Sequence, residues 1–139
     1  MNHAIHGPTR SDPQWIFDQS DHHVALLHVS SNQLAQCSVN PRLTTLDREQ
    51  LSREFTPFLK SLSFLTQTMG EQKSFLDAPL ELVLDLPTFP AVQGSSGVQL
   101  ICLHRGSRAV VLLTSAATLN ERSLFWLRLY EAELNEINL

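Results

Sequence analysis

A chain of 139 residues, 42% apolar and 17% charged, is long enough to bury one core without staples and too apolar to be a disordered tract. Its formal net charge of −4 argues against nucleic acid or an anionic membrane as the main partner, because both need clustered Lys and Arg. No run of about 18 apolar residues reads as a membrane span, and MNHAIHGPTRSDP lacks the basic-then-apolar order of a signal peptide, so a cytoplasmic location is expected.

Residues 1–13 hold Gly7, Pro8 and Pro13 and show no periodicity, which predicts a flexible arm ahead of a single domain over 14–139. Three short strands are expected next: Trp15-Ile16-Phe17, then Val24 to Val29, then Leu34 to Val39. In the third, Ala35, Cys37 and Val39 alternate with Gln36 and Ser38, as in a strand with one wet face. Asp47 then makes a good helix N-cap, and Leu46 and Leu51 can form a hydrophobic staple. Leu51, Phe55, Phe58, Leu62, Leu65 and Met69 follow as one stripe, predicting a helix that ends at Gly70 and bends at Pro57.

After a linker, Leu80, Leu82, Leu84 and Leu86 alternate with Glu81, Val83 and Asp85, a strand that Pro87 and Pro90 stop. The runs Val98–Leu103 and Ala109–Leu113 flank His104-Arg105-Gly106-Ser107-Arg108, which reads as a hairpin with a longer loop. Val98, Leu100 and Cys102 point one way, and Ile101 and Leu103 the other; Val110 and Leu112 oppose Val111 and Leu113. Strands apolar on both faces must be covered on both. The last element is a helix opened by Thr118-Leu119-Asn120-Glu121, a capping-box pattern. Its core stripe is Leu124, Leu127, Tyr130 or Glu131, Leu134 and Ile137, with Phe125, Trp126 and Leu129 outside it.

The order β-β-β-α-β-β-β-α predicts an α+β domain, an antiparallel sheet of five to six strands with two helices packed on one face. Chemistry is sparse. Adjacent His22 and His23 point to opposite strand faces, His28 is distant, and no paired Cys or His spacing marks a metal site. Cys37 and Cys102 sit in apolar strand patterns and are expected as buried thiols rather than nucleophiles or a disulfide. Arg105 and Arg108 beside His104 offer an anion contact or a solvated turn. Glu81 and Asp85 stand too far apart along a strand for glycosidase work. No nucleophile elbow, P-loop or dinucleotide fingerprint is present, so neither catalysis nor a cofactor is expected. What remains is apolar surface beyond one core, which predicts a protein-binding surface on Val24, Leu26, Ile101, Leu103, Val111, Leu113, Phe125, Trp126 and Leu129.

The last third carries a resemblance. Gly97-Val98-Gln99-Leu100-Ile101-Cys102 leads to His104-Arg105-Gly106, then to Val110-Val111-Leu112-Leu113, then to the terminal helix. In this order the chain resembles the effector chaperones of bacterial type III secretion, small acidic proteins with a twisted antiparallel sheet and a closing helix. The resemblance implies a homodimer that holds a segment of a secreted effector or an apparatus component along the two-faced strands. The chain departs from that pattern in lacking an amphipathic first helix over 1–13 and in the length of its 47–69 helix. Residues 80–139 also resemble the C-terminal domain of secretion substrate-specificity switch proteins, which would dock on the export gate. An immunity-type inhibitor with an acidic patch is a further alternative.

Overall fold

The computed structural model describes residues 9–30, 33–42, 49, 52–53, 56, 79–86, 98–115 and 120–137. The expected helix over 47–69 lies mostly outside these, together with Pro57, the start of the arm and the Thr118 cap. Glu49, Ser52, Arg53 and Thr56 are helical, and Glu49, Arg53 and Thr56 are exposed. None of the four belongs to the expected apolar stripe.

The first element corrects the sequence reading. Trp15-Ile16-Phe17 is not a strand but the end of a short helix, α1 (Pro13–Phe17). Asp12 caps it, its Oδ1 accepting from the Gln14 amide at 2.9 Å, and Pro13 opens it with a preset φ. Thr9 to Asp12 form the turn that leads into α1, and the Asp12 amide donates to the Thr9 carbonyl at 3.0 Å.

Five strands follow: β1 (His23–Ser30), β2 (Gln33–Val39), β3 (Leu80–Leu86), β4 (Val98–Arg105) and β5 (Arg108–Ser115). They form one antiparallel sheet in the order β2-β1-β5-β4-β3. The final helix, α2, spans Asn120–Ile137. The α+β class, the antiparallel sheet and its five strands stand as the sequence predicts.

Parity divides the sheet side chains into two clusters. Ala25, Leu27, Leu100, Cys102, Val111 and Leu113 belong to one face, joined at the rim by Leu34, Cys37, Val39, Leu82 and Leu84. Leu26, Ile101, Leu103, Val110 and Leu112 belong to the other, where Ile16 and Phe17 of α1 and Leu127 and Tyr130 of α2 cover them. Each fully buried Leu contributes about 1.5–3 kcal/mol of transfer free energy, so a strand loaded on both faces is a strong anchor.

Two irregularities alter the expected faces. Between His28 and Val29 the β1–β2 register shifts, so that Gln36 stands opposite His28 and Leu34 opposite Val29. Ala35 is the extra residue and is exposed, and Leu34 takes the inward place expected for it. The β4–β5 hairpin is tighter than expected: Arg105 pairs with Arg108, leaving a two-residue turn at Gly106 and Ser107. Gly106 has φ 61°, the left-handed backbone that a twisted two-residue hairpin requires.

Candidate functional site

Six of the nine residues predicted to meet a partner are core residues. Val24, Leu26, Ile101, Leu103, Val111 and Leu113 are each at most 1% exposed. Leu26, Ile101 and Leu103 are packed under α1 and α2, while Val24, Val111 and Leu113 belong to the cluster on the other face.

The other three lie on α2. Phe125 is 49% exposed, while Trp126 and Leu129 are half-buried. Trp126 meets Trp15 of α1 edge-on, with ring centroids 6.0 Å apart and an interplanar angle of 82°. Phe125 leans on Trp126 at 5.0 Å and 61°. The three rings form a line from the α1–α2 contact to solvent, anchored at Trp15 and Trp126 on the helix-side core. An exposed aromatic held by two anchored ones presents area at little entropic cost, which is what a protein-binding hot spot needs. Ile137, expected in the core stripe, is 63% exposed instead, because the helix has passed the end of the sheet contact.

The histidines are bound into the structure. His23 lies 2.6 Å from the Ile16 carbonyl through Nδ1 and 3.1 Å from the Ser123 hydroxyl through Nε2. A carbonyl only accepts, so Nδ1 carries the proton and Nε2 accepts from Ser123. This Ser–His pair has the spacing of a nucleophile and its base, yet His23 is 0% and Ser123 6% exposed, and it acts as a tie between α1, β1 and α2. Burial pushes the His23 pKa below the usual imidazole value, with the positive potential of His22 adding and the Ile16 carbonyl opposing. His28 is lowered by burial as well, and its Nε2 lies 2.7 Å from the Tyr130 hydroxyl. His22 faces outward and meets Ser115 at 2.9 Å.

Charged side chains join helix to sheet. Arg105 holds Glu131 through two parallel bonds of 2.8 and 2.9 Å, both groups largely buried. The sequence left Arg105 and Arg108 between an anion contact and a solvated turn; Arg105 holds Glu131, 26 residues away. Arg128 grips Glu81 in the same bidentate way at 2.6 and 2.7 Å, which holds the Glu81 carboxyl below its ordinary range. Asp85 accepts from the Gln99 amide at 2.9 Å.

Sequence reasoning missed a cleft of about 350 Å³ beside Glu131, bordered by His28, Arg105 and Arg108. Its lining comes from five elements, β1, β2, β4, β5 and α2, so no local pattern announced it. Among the described residues no group of three or more His, Cys, Asp or Glu is placed to hold a metal ion, and no helix is long and apolar enough to cross a membrane. Compared with known proteins, the chain matches no protein-family model and no curated protein.

Proposed function

We propose that the chain is a non-enzymatic adaptor or chaperone that binds another protein in the cytoplasm, serving bacterial type III secretion. The last third of the sequence and the order of its elements support this reading, as does the mild acidity. The observation that carries it is Phe125, exposed at the end of an anchored aromatic line. The docking surface is the outer side of α2 beside α1, and not the sheet, whose strands are occupied by the chain's own core. A secreted effector or an apparatus component is the partner, and a second copy of the chain can use the same surface.

The test is a binding assay against type III effectors and apparatus proteins, with light scattering to follow self-association. Phe125→Asp should weaken whichever association the native chain shows by on the order of 30-fold, as loss of a hot-spot aromatic does. The thermal midpoint should stay unchanged, because the ring is half in water already. Native chain that binds none of these proteins and remains a monomer would overturn the proposal. Equal binding by the Phe125→Asp variant would move the surface elsewhere.

A further inference from the structure

Leu127 and Tyr130 turn one side of α2 into the helix-side core. At about 100° per residue, Arg122, Phe125, Leu129, Ala132 and Glu136 fall on the opposite side of the helix. Their spacings are 3, 4, 3 and 4, the repeat of a helix that packs along a second helix. Leu129 is half-buried and the other four are exposed, so the stripe meets solvent. Its middle is apolar. Its ends carry opposite charges, Arg122 toward the N-terminus of the helix and Glu136 toward the C-terminus. Neither takes part in an ion pair among the described residues.

Such a stripe is complementary to itself when reversed. With a two-fold axis at Leu129, Arg122 stands across from the second copy's Glu136, and the axis repeats the contact. Phe125 then lies beside the second copy's Ala132, whose methyl leaves room for the ring. Antiparallel helices also set each positive N-terminal end beside a negative C-terminal one. A parallel pair would set arginine against arginine and glutamate against glutamate.

We propose that α2 pairs antiparallel with α2 of a second copy through this stripe. The inference rests on the reading of Phe125 as a binding residue and names the chain itself as the occupant of that surface. One helix face about 21 Å long is a small contact beside the roughly 800 Å² per partner of a standard interface. The pairing is therefore reversible, with a dissociation constant on the order of 100 µM. Exposed ion pairs add little affinity; here they fix direction and register.

Sedimentation velocity of the full chain tests it, over concentrations from about 20-fold below that constant to about fivefold above it. The native chain should pass from monomer to dimer across the range. Arg122→Glu and Glu136→Arg each turn two attractions into two repulsions, and each should weaken self-association by about tenfold. Mixed together, these two variants should pair with one another as tightly as the native chain pairs with itself. One then carries acid at both ends of the stripe and the other carries base. The double variant should recover native self-association. A native chain that stays monomeric throughout overturns the pairing. If that monomer still binds a secretion protein, and Phe125→Asp abolishes the binding, the surface serves a foreign partner and the proposed function stands without the pairing. If it binds nothing, both fail. Single variants that self-associate like the native chain, or that do not pair with one another, also overturn the pairing.

Discussion

One imidazole, that of His23, holds the end of α1 and the first turn of α2 to the start of β1. Its pKa is lowered on folding, so the unfolded state binds protons at a higher pH than the native one. Between the unfolded value of about 6.5 and the lower folded value, stability therefore rises with pH. This contribution is complete above about pH 6.5 and is lost as pH falls below it. His28 and His104, both lowered by burial, act in the same direction. Urea unfolding should show a stability that drops on going from about pH 7.5 to about pH 5.5, at up to about 1.4 kcal/mol per pH unit for His23 and less for the more exposed His28 and His104. His23→Gln should flatten part of that slope, and a native midpoint flat across the window would contradict the assignment. The opposite facing of His22 and His23 was legible in the sequence from strand parity alone. The tie to Ser123 was not, because its partner is 100 residues away.

At the scale of elements, strand parity read from sequence matches the two clusters residue by residue over β4 and β5. That success has a physical cause: in a regular strand the side-chain period is fixed at two. The failures fall where regularity breaks. The Ala35 bulge moves the inward position to Leu34, and Asp12-Pro13 capped a helix that short apolar spacing disguised as a strand. The tight hairpin turn was masked by charge: five polar residues look like a loop, yet Arg105 and Arg108 continue the ladder while their side chains remain polar. Two-sided burial carries its own prediction. Leu112→Ala and Leu113→Ala remove residues from opposite faces of β5, both 0% exposed. Each should cost about 2–5 kcal/mol by chemical denaturation, whereas in a strand with one wet face only one of two neighbours would matter.

At the scale of the whole molecule, the strand order was the part that local pattern could not supply. β1 pairs with β5 across most of the chain, and such pairing depends on which faces find one another after collapse. The same order decided the fate of the predicted partner surface. Central positions in β1, β4 and β5 placed Leu26, Ile101 and Val111 inside, while the terminal helix kept Phe125 at the edge, where sequence alone marked it as outside the core stripe.

The strand order also governs the two thiols. β1 and β5 separate β2 from β4, which sets Cys37 and Cys102 about 14 Å apart, far beyond the span of a disulfide. Cys102 is 0% exposed, and burial pushes its pKa up to about 12. The chain thus carries its own stopwatch for opening. An aromatic disulfide reagent should label half-buried Cys37 early and Cys102 only when the central sheet comes apart, at a rate that climbs with urea. Labelling of both at one pace in plain buffer would mean the sheet breathes far more freely than its packing allows.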